Sequence, residues 1–266
     1  MQKIDKSSII EDGAIIGDNV IIGPFCHISS GVKIGDGTTL SSHILLTGDT
    51  TIGENNRIFS HAVIGSIPQD LKFNNEDVKL IIGDNNTIRE FTLINPGTQG
   101  GGGITQIGNN NLIMGYVHIG HDVIMGDNCI FANATALGGH VIVGNNVVIG
   151  AMGAVHQFVK IGEFAMLAGA SALTQDIPPF CMAEGNRAVL RGLNINGLRR
   201  HMDRSEINLI KKAYKNLFET KKSLKENASS ILNNNSSKQV EKMCNFILET
   251  KRGIPYIRNN LDAKKV

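Results

Sequence analysis

The chain has 266 residues, a formal net charge of +2, 30 glycines, 5% aromatic residues and no tryptophan. That length admits one large domain or two smaller ones, and so few rings with so much glycine suit tight turns around a thin aliphatic core. There is no apolar run of about 18 residues to span a membrane, and the first five residues lack the apolar segment of a signal peptide. Cys26, Cys129, Cys181 and Cys244 have neither metal-ligand nor disulfide-framework spacing, so a reducing cytoplasm is the expected setting.

Every sixth residue is apolar from Ile10 to Ile64, again at Ile82, Ile88 and Ile94, and, after a slip of one, from Ile107 to Leu173. All 25 of these positions are apolar. A period of six matches neither a helix nor an alternating strand. It predicts a short strand and a corner repeating as one unit, the hexapeptide pattern of a β-helix. An aliphatic-Gly-polar phrase recurs once in every three hexads, at Gly17, Gly35 and Gly53, then at Gly108, Gly126, Gly144 and Gly162. One coil therefore has three sides, and one edge is expected to use Gly and Asn at positive φ. The pairs Asn55-Asn56 and Asn85-Asn86 and the triplet Asn109-Asn110-Asn111 are read into that same edge.

Two interruptions follow. Between Ile64 and Ile82 the hexad positions would fall on Asp70 and Glu76, so residues 66–79 are expected to protrude as a loop carrying Gln69-Asp70-Leu71-Lys72. Residues 95–105 contain four consecutive glycines, Gly100 to Gly103. Such a run can cradle phosphate, but no Lys-Ser/Thr and helix start follows it, so a flexible loop is expected. Loops on a rigid scaffold often carry sites.

Beyond Asp176-Ile177-Pro178-Pro179 the hexad stops and helical spacing begins. Asp203-Arg204-Ser205-Glu206 has the spacing of a capping box, followed by Ile207, Ile210, Ala213, Tyr214 and Leu217 on one face. Ser237 to Thr250 predicts another helix, with Val240, Met243, Cys244 and Ile247 as its apolar stripe. Asp262 to Val266 reads as a solvated tail. The expected organisation is thus an all-β parallel β-helix with triangular coils over residues 1–190 and a small α-helical C-terminal domain over 191–266.

Residues 191–266 hold 17 Lys/Arg against 7 Asp/Glu, whereas residues 1–190 hold 9 against 17. The basic part is either a solvated helical surface or a landing site for an acidic partner or phosphorylated ligand. Nucleic acid fits poorly, since few aromatics and no nucleic-acid-binding motif accompany the charge. Folded at three hexads per coil, His121, His140 and His156 fall at nearly one place on successive coils, with His118 beside them. Coils spaced about 4.8 Å apart bring three imidazoles within about 10 Å. Such a cluster either binds a metal or transfers protons beside a bound anion.

Gln69-Asp70-Leu71-Lys72, His118-Ile119-Gly120-His121-Asp122, Leu137-Gly138-Gly139-His140 and Ala154-Val155-His156-Gln157-Phe158 occur in this order. Glu184-Gly185-Asn186 and Asn194-Ile195-Asn196-Gly197-Leu198-Arg199-Arg200 come after them. Together these phrases resemble the UDP-N-acetylglucosamine 3-O-acyltransferases of lipid A synthesis, over essentially the whole chain. The resemblance implies a left-handed helix and a homotrimer with its site in the cleft between subunits. It implies acyl transfer from acyl carrier protein to the 3-position of UDP-N-acetylglucosamine or its 3-amino analogue. No cofactor is implied, because the acyl group arrives on the carrier's phosphopantetheine. His121 would be the general base, Asp122 its orienting carboxylate and Gly139 the backbone oxyanion donor. Gln69, Asp70, Lys72, His118, His140, His156 and Gln157 would contact substrate or hold the site's charge. Asn194 and Arg200 would face the nucleotide, and Gly169 would be the ruler ending the acyl groove. Neighbours along a strand face opposite ways, so pairing His121 with Asp122 requires a corner there.

Asn196, Arg187 and Gly120 depart from the family pattern, where an acidic residue, a histidine and an alanine are common. The runner-up from another class is a zinc lyase resembling γ-class carbonic anhydrase, with the edge histidines as ligands. A structural β-helix that only binds carrier protein is the third reading.

Overall fold

The structure is a computed structural model that describes residues 2–220, 222–234 and 237–256; the expected tail at Asp262 to Val266 lies outside them. Most strands are very short and pair in parallel with the strand one coil further on, Ile21–Ile22 with Thr39–Leu40 for example. They stack into three sheets, the three sides of a left-handed parallel β-helix. Of the 25 hexad positions, 23 are buried along its axis; Ile10 and Ile16, in the first coil, are only partly covered.

The two interruptions are insertions into otherwise regular coils. Asp49–Ile52 pairs with Lys79–Ile82 across the first loop, and Lys79–Ile82 pairs with Ile104–Ile107 across the second. The loops therefore add twelve and seven residues to the standard coil of three hexads without disturbing the pairing. Seven is one hexapeptide plus one residue, which accounts for the slip in the apolar register.

The division of labour at the corners differs from the expectation. Asn19, Asn55, Asn85, Asn110, Asn128 and Asn146 do take positive φ, between 53° and 59°. Gly17, Gly35, Gly53, Gly108, Gly126 and Gly144 do not. Glycine is required there by close approach: a Cβ on Gly35 would lie 2.6 Å from the carbonyl carbon of Gly53. The last asparagine of each group points inward. Asn56, Asn86 and Asn111 form a buried ladder in which Asn86 N donates to Asn56 Oδ1 (2.8 Å), Asn111 N to Asn86 Oδ1 (2.9 Å) and Cys129 N to Asn111 Oδ1 (2.7 Å). Each side chain accepts from the next coil's backbone, which a turn asparagine would not do.

Regular coils end at Ala172–Leu173. An antiparallel hairpin, Cys181–Glu184 with Val189–Leu193, extends one sheet and leads into the helices. These are α1 (Ile195–Leu198), α2 (Arg204–Phe218), α3 (Leu224–Leu232) and α4 (Lys238–Glu249). Ile207, Ile210, Ala213 and Leu217 of α2 and Val240, Met243, Cys244 and Ile247 of α4 are buried as their spacing predicts. Asp203 sits at the N-cap of α2, but its side chain makes no capping hydrogen bond; the reciprocal capping box is at Ser223 and Glu226, opening α3. Lys242 ties α4 to the β-helix through Glu163 Oε1 at 2.8 Å. All four cysteines are free and buried. Among the described residues, no helix is long and apolar enough to cross a membrane.

Candidate active site

Asp122 occupies a corner at φ +58°, in the left-handed region. Its N–H donates to Thr105 Oγ1 at 2.8 Å, which fixes the turn. The corner reverses the usual alternation of neighbours, so Asp122 Oδ2 lies 2.8 Å from His121 Nδ1. One coil on, His140 takes the same corner conformation at φ +61°, and its N–H donates to His121 O at 2.9 Å. The His140 ring meets that of His121 edge-on at 5.0 Å and stacks on Phe158 at 4.3 Å. Its Nδ1 is 3.8 Å from Asp122 Oδ2, so two imidazoles face one carboxylate oxygen.

Gly139 lies against the His121 ring so closely that a Cβ would stand 2.5 Å from Nε2. Its N–H has no backbone partner among the described residues. His118, His121, Gly138, Gly139, His156, Gln157 and Gln69 share one cleft, of about 350 Å³. Asp70 is near enough to His140 to act on it electrostatically. Lys72 is exposed on the same loop, its N–H donating to Asp70 Oδ1 at 3.0 Å. Burial lowers the pKa of His118, and burial also lowers that of His140 against the opposing pull of Asp122. Both are thereby favoured as neutral imidazoles near pH 7.

Asn194 and Arg200 are elsewhere, lining a second cavity of about 360 Å³ with Phe164 and His201. Asn194 is already committed: Oδ1 accepts from Gly197 N (3.1 Å) and Nδ2 donates to Phe164 O (3.0 Å), capping α1. Arg200 is exposed. Gly169 sits at a different corner, fewer than three coils from His121, with Ala170 at φ +52° after it. Between them, on the outer face of one sheet, Ala136, Ala154 and Ala172 follow His118 on successive coils and leave a shallow strip of small side chains.

Residues that sequence reasoning missed hold the dyad in place. The glycine-rich segment, expected to be a flexible loop, folds as a 3₁₀ turn at Gln99–Gly101 over the Asp122 carboxylate. Thr98 N donates to Asp122 Oδ1 (2.9 Å), and Thr98 Oγ1 to Oδ2 (2.6 Å). A Cβ on Gly101 would run into that carboxylate, so one glycine of the run is explained by close approach. The buried Asn95 pins the other loop, its Nδ2 donating to Ser66 O (2.9 Å) and Ile67 O (3.1 Å). The slip in the hexad marked this segment as unusual, but nothing in it pointed to Asp122, far along the chain in the next coil.

A sequence model described as UDP N-acetylglucosamine O-acyltransferase, domain 2, matches residues 176–255. One described as bacterial transferase hexapeptide matches residues 13–43 and 104–136. The acyl-[acyl-carrier-protein]–UDP-N-acetylglucosamine O-acyltransferase of Sulfurimonas denitrificans is 65% identical over 98% of this chain and 100% of its own length. That of Sulfurovum sp. is 61% identical, with the same coverage of each. The chain belongs to the UDP-N-acetylglucosamine O-acyltransferase family. The solved UDP-N-acetylglucosamine acyltransferase from Campylobacter jejuni superposes on it with a TM-score of 0.93, 50% identity and coverage of 96% of this chain and 100% of that one. Within this acyltransferase, Gly120 sits in a crowded place: a Cβ there would stand 2.9 Å from Leu137 O and 3.1 Å from Gly139 N. Asn196, in α1, and Arg187, in the hairpin turn, are exposed.

Proposed function

We propose that this chain transfers a (3-hydroxy)acyl group from acyl carrier protein to the 3-position of UDP-N-acetylglucosamine, or of its 3-amino analogue, in lipid A biosynthesis in the cytoplasm. The observation that carries the mechanism is the His121–Asp122 pair with the Gly139 backbone against the imidazole. Asp122 accepts from Nδ1–H, which leaves Nε2 as the basic nitrogen. Nε2 takes the proton of the sugar's nucleophile as it attacks the thioester carbonyl carbon. The carbonyl oxygen becomes an oxyanion facing the Gly139 N–H. When the C–S bond breaks, the imidazolium returns the proton to the departing thiolate of the carrier's phosphopantetheine, so no further cofactor is needed. Neutral His118 and His140, with His156, Gln157, Gln69, Asp70 and Lys72, line or approach the cleft that would hold the sugar.

Asn194 and Arg200 line a different cavity of the same chain. A homotrimer that sets one subunit's Arg200 beside its neighbour's His121 would complete a single nucleotide-sugar site. The strip at Ala136, Ala154 and Ala172 suits an acyl chain that ends near Gly169. The basic residues 191–266 suit docking of an acidic carrier protein.

The test is incubation with acyl carrier proteins of several chain lengths and both sugar nucleotides, with products read by mass. Wild type should yield the acylated nucleotide, and His121→Ala should lose about 10²–10⁴ in rate while retaining its assembly. Near-normal turnover by His121→Ala would remove it as the base. The zinc-lyase reading takes the edge histidines as ligands; of these His121 and His140, together with Asp122, have ligand atoms within 4.8 Å of one another. Both Asp122 oxygens, however, already accept protein hydrogen bonds. Stoichiometric zinc in purified protein would favour the lyase.

A further inference from the structure

Asp122 stands before two imidazoles, and something must decide which of them it orients. Oδ2 is 2.8 Å from His121 Nδ1 and 3.8 Å from His140 Nδ1. The carboxylate is almost wholly buried, and Thr98 reaches both of its oxygens, through N–H to Oδ1 and through the hydroxyl to Oδ2. Two donors from one residue, on two different oxygens, set the rotation of the carboxylate as well as its position. Thr98 is itself held by its own turn: its carbonyl accepts from Gly101 N (2.9 Å) and Gly103 N (2.8 Å). The next residue, Gln99, donates its N–H to Glu76 Oε2 at 2.7 Å, which anchors the turn to the loop carrying Gln69 and Lys72.

We propose that Thr98 is a positioning residue for acyl transfer: its hydroxyl and N–H lock the Asp122 carboxylate toward His121 and away from His140. The insertion that the glycine-rich segment makes into its coil then has a task, which is to bring this one side chain over the carboxylate. Without the hydroxyl, Oδ2 loses its 2.6 Å donor and can turn toward His140, so His121 Nδ1–H is less firmly held and Nε2 is less well aimed. A carboxylate turned toward His140 also stabilises an imidazolium at His121 less.

This rests on the acyl-transfer reading, so wild-type turnover is measured first. Thr98→Val, nearly the same shape without the hydroxyl, should lower kcat about tenfold. KM for the sugar nucleotide should stay within about twofold, and the acid limb of the kcat–pH profile should move to lower pH, since a less stabilised imidazolium gives up its proton more readily. Thr98→Ser restores the hydroxyl and should recover most of the loss. A Val variant with wild-type kcat and pH profile overturns the proposal. So does an equal loss in both variants accompanied by a lower melting temperature, which would make Thr98 merely structural. If wild type shows no transfer, that reading has failed, and labelling of His121 by diethyl pyrocarbonate against pH still decides the role of Thr98. A labelling midpoint displaced in Val and restored in Ser supports it; an undisplaced midpoint overturns it.

Discussion

Gly139→Ala adds one methyl group at the most crowded point of the cleft. Its Cβ would stand 2.5 Å from His121 Nε2, whereas non-bonded carbon contacts settle at about 3.5–4.0 Å. One group must therefore retreat by about 1 Å or more. The backbone of Gly139 cannot easily do so, because its carbonyl accepts from Phe158 N at 3.0 Å in the next coil. The imidazole is the softer partner, and moving it breaks the 2.8 Å contact with Asp122 and takes Nε2 off line. A misplacement of about 1 Å in a reacting group costs about 10² in rate. We expect kcat/KM for acyl transfer to fall by about that factor, with little change in melting temperature, since the coil's backbone pairing is untouched. Gly139→Ala with kcat/KM within about threefold of wild type would refute the placement of Gly139 against a working base.

Asn86→Leu keeps the branched shape of a rung in the buried ladder but strands Asn111 N and Gly108 O, each orphaned group costing about 1–3 kcal/mol; the melting temperature should drop by at least about 4 °C, read by differential scanning calorimetry. Gly169→Met should shift acyl preference toward shorter chains in a competition assay, each excluded methylene forfeiting about 0.8 kcal/mol, and an unchanged preference would place the ruler elsewhere. KM for the acyl carrier should rise with salt as the screening length falls from about 10 Å at 0.1 M to about 3 Å at 1 M. It should rise likewise in Arg199→Glu and Lys211→Glu, whereas a salt-insensitive KM, unchanged in the variants, would return the basic surface to a solvated face.

The sequence showed the coil because the burial rule there is one-dimensional: every sixth residue faces the axis, and no partner element is needed to see it. It showed the asparagine edge for the same reason. Two other corner series were hidden, because Phe25, His43, His61, Phe91 and Tyr116, like His140 and Phe158, adopt positive φ that bulky residues disfavour. Their support comes from the next coil, where the rings of Phe25 through Tyr116 stack at centroid distances of 4.9–5.0 Å. The histidine cluster was legible from periodicity, whereas the roles proposed within it rest on resemblance. Thr98 was not, since its bond to Asp122 depends on how an inserted loop folds back, which no hexad encodes. The capping aspartate at α2 failed because the right spacing did not bring its side chain to the helix backbone.

Among the described residues, the β-helix is covered at one end and uncovered at the other. The hairpin and helices cover the last coil, while the first coil, with strands Lys3–Ile4, Ile9–Ile10 and Ile15–Ile16, pairs on one side only among the described residues. Three parallel strand edges there present unpaired backbone groups, and Ile9 and Ile15 are exposed beside them. Such an end is a template on which another chain's strands can grow, the geometry of a fibril tip. Lys3, Asp5, Lys6, Glu11, Asp12 and Asp18 crowd the same coil with charges of both signs. A strand arriving end-on would have to strip water from them, which opposes end-on pairing at the coil least supported by packing.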